Sequence, residues 1–220
     1  GEDTVAEVAY LSPRTGYTNI YAAPVEGGPA RILVHGERSP EFESFHEFAS
    51  RMDAREGVLL FASKYGDRDA LFFWSIEKER VVGRYQFDSL VSILSPAFAP
   101  DGRRVAFSAM TEGGISDLYL LDTRTGRLAR VTDDPYEDID PAWLPDGRLV
   151  FASDRSPGGD DGSRNLYLVA AEGGPVRPLT HGTWLDETPR WDPEAERILF
   201  TSDRDGSFAL YSVDTLGNGR

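Results

Sequence analysis

A repeated phrase constrains the fold of this chain more than any other feature of its sequence. The stretch "PAFAPDGRRVAFSA" begins at Pro96, and a close copy, "PAWLPDGRLVFAS", begins at Pro141, 45 residues later. A single packed core rarely needs a duplicated segment, whereas a repeat architecture needs one copy in every unit. The sequence therefore predicts an array of similar units.

The spacing of aromatic residues indicates how many units there are. In three copies an aromatic residue precedes a phenylalanine by 8 or 9 residues, as in Phe98 and Phe107, Trp143 and Phe151, and Trp191 and Phe200. Met52 and Phe61 give a degenerate copy upstream, and Tyr10 and Tyr21 begin the series. The predicted repeats are 1–43, 44–91, 92–138, 139–185 and 186–220.

Each copy contains short runs rich in β-branched and aromatic residues, bounded by the turn formers Gly, Pro, Asp and Ser. Four short strands in a unit of roughly 45 residues is the pattern of a propeller blade. We therefore predict an all-β fold, a β-propeller of four-stranded antiparallel blades with about five blades. A β-sandwich is the alternative, but it would not require anchors at nearly fixed spacing.

The same spacings predict that the first copy lacks its innermost strand and the last copy its outermost strand. We therefore expect a single propeller that is part of a longer one. Because unpaired strand edges can pair with another chain, self-association through exposed blade edges is one expected contact.

Composition and charge exclude several classes of function. The formal net charge is −14, which argues against nucleic acid or anionic lipid as a partner. Cysteine is absent, which removes disulfides and thiolate chemistry, and only three histidines are present. The sequence contains no long apolar run, so no direct membrane insertion is expected, and no signal peptide is recognised.

The repeats resemble those of a known family. "SPAFAPDGRRVAFSA", "DPAWLPDGRLVFASDR" and "TPRWDPEAERILFTSDRDG" are similar to the WD-type repeats of TolB-like propellers, from about Val8 to Asp214. Related repeats occur in propeller domains of prolyl-oligopeptidase-type peptidases. The resemblance implies a parent with six or more blades, and a non-catalytic protein-interaction scaffold in the bacterial periplasm or cell envelope. Two alternatives stay open: a substrate-gating propeller of a larger serine peptidase, and a carbohydrate- or metal-binding propeller.

The excess negative charge is expected on one end of the propeller. The loops between second and third strands and the blade-to-blade connections share one end, and together they carry the whole net charge of −14. Such an acidic surface would attract a protein with a basic surface, although acidic loops also serve solubility. The predicted partner-binding residues are Asp133, Asp134, Tyr136, Glu137, Asp138, Trp184 and Asp186.

Metal binding and catalysis find little support in the sequence. Asp154, Asp160 and Asp161 are weak candidates for Ca²⁺ in "DRSPGGDDGSRN", but Asp154 is more simply a cap for backbone amides. His35 and His181 recur in "LVHG" and "LTHG" without the density of a metal centre. No Gly-x-Ser-x-Gly motif is present, so no catalytic residue and no cofactor are predicted.

Overall fold

The computed structural model describes residues 6–36, 43–45, 51–155 and 162–219, and its elements are strands joined by turns and loops. The strands form five small antiparallel sheets arranged as the blades of a β-propeller. The predicted all-β propeller fold is confirmed. Within the described residues there is no helix with the length and apolar character to cross a membrane.

The first two blades precede residue 90. Blade 1 consists of β1 (Glu7–Ser12), β2 (Asn19–Pro24) and β3 (Arg31–Val34). Blade 2 consists of β4 (Ser44–Phe45), β5 (Asp53–Arg55), β6 (Val58–Tyr65), β7 (Arg68–Ser75) and β8 (Arg80–Gln86). β4 and β5 both pair with β6, so they share the innermost position of this blade.

Blades 3 and 4 have the predicted four strands, and blade 5 has three among the described residues. Blade 3 consists of β9 (Ser92–Phe98), β10 (Arg104–Met110), β11 (Ser116–Asp122) and β12 (Arg127–Arg130). Blade 4 consists of β13 (Asp138–Trp143), β14 (Arg148–Ser153), β15 (Asn165–Ala170) and β16 (Arg177–Pro178). Blade 5 consists of β17 (Asp186–Asp192), β18 (Arg197–Ser202) and β19 (Ala209–Val213).

The repeated Pro-Asp-Gly segments form the turns after the innermost strands. Gly102 and Gly147 have φ angles of 68° and 85°, in the left-handed region that glycine adopts readily. The carboxylates of Asp101 and Asp146 accept the amides two residues ahead, at 2.8 and 3.0 Å. Aspartate and glycine therefore each stabilise the turn in a different way, as the turn formers at these positions predict.

The aromatic anchors occupy matching positions in blades 3, 4 and 5. Each anchor pairs with the apolar residue two places before the phenylalanine of the second strand: Phe98 with Val105, Trp143 with Leu149, and Trp191 with Ile198. The prediction for Met52 is wrong, because Ala54 pairs with Leu59 at the equivalent position. Blade 2 closes this hairpin with the two residues Glu56 and Gly57, so it lacks the longer turn that sets the 9-residue spacing.

The core lies between blades. The second-strand phenylalanines are fully buried, and Phe107, Phe151 and Phe200 each pack against residues of the preceding blade. Each ring also faces the aromatic residue paired with it on the third strand, with centroids about 6 Å apart. The regular aromatic residues therefore hold neighbouring blades together.

Candidate functional site

The candidate site lies where the connections between blades meet the loops between second and third strands. We call this the acidic end. Residues 133–137 connect β12 to β13, residues 179–185 lead from β16 to β17, and residues 162–164, just before β15, lie beside the second connection. Backbone bonds join the last two segments, because Arg164 donates to the Trp184 carbonyl at 3.0 Å and Asp186 donates to the Arg164 carbonyl at 2.7 Å.

Three arginines organise the charge at this end, and each is shared between two carboxylates. We call this set the carboxylate–arginine network; its pairs are Arg130 with Asp117 and Asp133, Arg155 with Asp134 and Asp138, and Arg164 with Glu137 and Glu187. Six carboxylates against three guanidinium groups leave the network negatively charged. The network also ties blade 3, blade 4 and the start of blade 5 to one another.

The pair of Asp138 and Arg155 is the most buried part of the network. Nη2 of Arg155 lies 2.6 Å from both carboxylate oxygens of Asp138, whose side chain has no exposed surface. The guanidinium also lies over the rings of Phe151 and Tyr167, at 5.5 and 5.4 Å from their centroids. Burial raises the pKa of Asp138 to about 6, against the opposing effect of Arg155 and of hydrogen bonding.

The same arrangement recurs one blade later. Nη2 of Arg204 lies 2.8 and 3.0 Å from the carboxylate oxygens of Asp186, and its guanidinium lies over Phe200 and Tyr211. Trp184 takes the place that Tyr136 has in the preceding blade, two residues before the buried aspartate. The repeated "SDR" therefore marks a partly buried arginine that pairs with a fully buried aspartate, the first residue of the innermost strand. The partner of this arginine lies 17 or 18 residues earlier in the chain and could not be recognised from the motif alone.

The predicted partner-binding residues divide into exposed and buried groups. Asp133 and Tyr136 are exposed, the Asp133 side chain by 78% and Tyr136 by 39%, while Asp134, Glu137 and Trp184 are partly exposed. Asp138 and Asp186 have fully buried side chains, so a partner cannot touch them in the folded chain. The prediction of direct contact is wrong for these two residues, since tertiary packing encloses them beneath the arginines.

The weak metal candidates have a simpler role where they are described. Asp154 accepts the backbone amide of Glu137 at 2.8 Å, and Asp203 accepts that of Leu185 at 2.7 Å, as the capping interpretation predicts. Asp160 and Asp161 lie outside the described residues. In the part of the chain that is described, no group of three or more His, Asp or Glu side chains is arranged to hold a metal.

The two "HG" motifs have a packing role that the sequence analysis missed. A β-carbon on Gly36 would lie 2.0 Å from the Thr18 carbonyl oxygen, and one on Gly182 would lie 2.1 Å from the Trp184 ring. Both histidines are exposed. The repeated feature of these motifs is therefore the glycine. Without a side chain, it lets other groups pack closely against the backbone just after the outermost strand of a blade ends.

A second polar cluster lies on the innermost strands. Ser95, Asp140 and Thr188 have φ angles of 50°, 58° and 58° at the register shifts of β9, β13 and β17. Left-handed backbone is costly for residues other than glycine, and the surrounding structure holds it in place. The Ser95 hydroxyl donates to Asp140 at 2.7 Å, and Arg51 forms an ion pair with Asp140, so this cluster links blades 2, 3 and 4.

Comparison with known proteins supports the family resemblance. Residues 75–160 match a family model described as the TolB beta propeller domain. The resemblance to TolB-like propellers is confirmed. The crystal structure of TolB from Acinetobacter baumannii aligns with the whole chain and 52% of its own length, at a TM-score of 0.71 and 20% identity, which shows that the TolB-like fold is shared.

Curated relatives of this chain include proteins of two kinds. An uncharacterized peptidase, YuxL of Bacillus subtilis strain 168, is 36% identical over 51% of the chain and 18% of its own length. A TolB homolog of Chlorobium luteolum strain DSM 273 is 29% identical over 58% of the chain and 27% of its own length. The aligned part of the chain thus spans about a fifth to a quarter of the length of these relatives.

Proposed function

We propose that this chain is a non-catalytic protein-interaction scaffold of the bacterial cell envelope, and that it binds a partner with a basic surface at the acidic end. The observation that carries the proposal is the carboxylate–arginine network. Because each arginine is shared by two carboxylates, the surface stays negative while residues 133–137 are held by ion pairs. A preformed charged surface favours rapid and specific association at a small ordering cost.

The exposed members of the network supply the proposed contacts. Asp133 is the most exposed carboxylate of the network. The Arg155 guanidinium lies over the Tyr136 ring, 5.2 Å from the centroid of that ring. Aromatic residues are frequent anchors in protein interfaces, and exposed charges at the rim accelerate association. Tyr136 is therefore proposed as the anchor, and Asp133, Asp134 and Glu137 as the charged surround. The envelope location follows from the resemblance to TolB-like proteins.

Affinity capture from an envelope extract tests this proposal. The chain is immobilised as wild type, as the double variant Asp133→Asn with Tyr136→Ala, and as Glu77→Gln, an exposed control on the turn between β7 and β8. We expect a partner held by the wild type and the control at about 50 mM salt and released at about 300 mM, since salt screens surface charge. The double variant should retain less than about a tenth of that partner. The proposal would be contradicted if the amount of captured partner changed neither with salt concentration nor in the double variant.

A second candidate is the substrate-gating propeller of a longer serine peptidase. The 36% identity to the peptidase YuxL favours it, because that relative combines a matching segment with a much longer chain. The full reading frame that encodes this chain decides between the two. A product that hydrolyses a chromogenic peptide, with a hydrolase domain beside the propeller, would support the gating role over the scaffold.

A further inference from the structure

We propose that the cleft between blades 2 and 3 binds a small aromatic carboxylic acid. The cleft is a cavity of about 320 Å³ near the end opposite the acidic end, beside the turns that follow β5 and β9. It is therefore separate from the proposed partner-binding surface. Its apolar and aromatic lining is Val58, Phe73, Val82, Tyr85 and Phe98, and the remaining lining is Arg55, Glu56, Gly83, Gly102 and Thr123.

Three aromatic rings form a fixed apolar wall in this cleft. Phe73 meets Tyr85 and Phe98 edge to face, with centroids 5.7 and 5.9 Å apart. The Tyr85 hydroxyl donates to the Thr123 carbonyl at 2.6 Å, which bridges the two blades and holds its ring in position. An aromatic guest can pack against such rings without reorganising them.

Two positions leave more room here than a tryptophan and an ordinary side chain would, namely Phe98 and Gly83. At the next blade interface, Trp143 takes the position of Phe98, is almost fully buried, and donates its indole N–H to the Ala97 carbonyl at 3.1 Å. On β8, Gly83 lies opposite Phe73 and adds no side chain to the cleft. The smaller ring at Phe98 and the missing side chain at Gly83 therefore leave an open cleft with room for a small ligand.

Arg55 gives the cleft its charge preference. Its Nε atom is buried, and it has no hydrogen-bond partner among the described residues. Its Nη2 atom lies 3.2 Å from Glu56, whose side chain is 79% exposed, so this counter-ion is held loosely. A ligand carboxylate matches the fork of N–H donors on a guanidinium better than a single exposed glutamate oxygen does.

The size of the cavity limits the ligand. Sites for small molecules range from about 300 to 1,000 Å³, so this cleft is near the lower bound. One ring with a short acid chain suits that volume, and the ring would meet the aromatic wall while the carboxylate meets Arg55. An extended peptide would exceed the cleft.

Isothermal titration calorimetry of the chain with 3-phenylpropionate tests the proposal, with 3-phenylpropanamide as the neutral probe. We expect saturable binding of the acid at millimolar concentration and at least about tenfold weaker binding of the amide. Arg55→Gln should weaken binding of the acid about tenfold, and Glu56→Gln should tighten it, because the competing counter-ion is removed.

Two further variants separate binding from folding. Gly83→Val should abolish binding by filling the cleft, and a β-carbon at Gly83 has ordinary contacts, 3.5 Å from that of Phe73. Arg177→Gln removes an exposed arginine from a different cleft of about 220 Å³ and should leave binding unchanged. Absence of saturable binding, equal binding of acid and amide, or binding indifferent to both Arg55→Gln and Gly83→Val would overturn the proposal. So would tighter binding of a phenylalanine-terminated peptide than of the free acid.

Discussion

At the scale of single residues, the buried aspartate of blade 4 is expected to make stability depend on pH. Because burial raises the folded-state pKa of Asp138 to about 6 from 3.8, the folded chain binds this proton more tightly than the unfolded chain. The stabilisation is fully present below pH 3.8 and is lost as the pH rises through about 6. Two pKa units correspond to about 3 kcal/mol.

Urea unfolding of wild type and Asp138→Asn between these pH values measures this contribution. We expect the free energy of unfolding of the wild type, relative to the variant, to fall by up to about 3 kcal/mol as the pH rises. Asp146→Asn is the control, for which we expect a pH dependence of the unfolding free energy with the opposite sign. The reason is that hydrogen bonding from Arg148 lowers the pKa of Asp146. An Asp138→Asn curve parallel to that of the wild type would contradict the assignment.

Arg155 and Arg148 provide a matched comparison of buried and exposed ion pairs. The Arg155 side chain is 13% exposed and pairs with the fully buried Asp138, whereas Arg148 pairs with the half-exposed Asp146. Removing one partner of a buried pair leaves an uncompensated charge, so Arg155→Gln should cost about 3–5 kcal/mol of unfolding free energy. Arg148→Gln should cost less than about 1 kcal/mol. Equal losses of unfolding free energy for Arg155→Gln and Arg148→Gln, measured by urea unfolding, would show that burial does not strengthen the ion pairs of the network.

At the scale of the element, the close approach at Gly36 makes the segment after β3 sensitive to a single methyl group. A β-carbon there would meet the Thr18 carbonyl oxygen at 2.0 Å, and backbone on that side cannot move away like a flexible side chain. Gly36→Ala should therefore lower the unfolding free energy by about 1–3 kcal/mol.

Gly113→Ala is the control, since its β-carbon would meet only the Thr111 hydroxyl, at 3.4 Å. Thermal unfolding of both variants gives the comparison, and the control should unfold within a few degrees of the wild type. A Gly36→Ala variant as stable as the control would mean that the segment after β3 relaxes freely.

Sequence patterns predicted the strands well where local chemistry determines them. The Pro-Asp-Gly turns and the short apolar runs that follow them fix the first hairpins of blades 3 and 4, and the anchors Phe98 and Trp143 take their predicted positions. Blade 2 departs from the pattern because the two-residue turn at Glu56 and Gly57 changes the spacing around Met52. The site was less predictable, because the burial of Asp138 depends on an arginine brought over it by folding.

At the scale of the whole molecule, the two ends of the propeller carry different features. The acidic end combines the carboxylate–arginine network with an exposed tyrosine, while the opposite end carries the Pro-Asp-Gly turns and the cleft beside Arg55. The sequence predicts that the net charge gathers in the loops at one end, and this stays a prediction. It did not indicate that much of this charge is paired and serves to hold the blades together.

Hydrogen–deuterium exchange with a basic probe, a peptide of ten lysines, tests most directly whether the acidic end is the binding surface. The central claim predicts protection of amides in residues 133–137 and 181–187 at about 50 mM salt, and loss of that protection at about 300 mM. The turns at the opposite end, residues 99–103 and 144–148, should exchange as they do in the free chain. Protection at those turns, or protection that is absent from the acidic end, would contradict the claim.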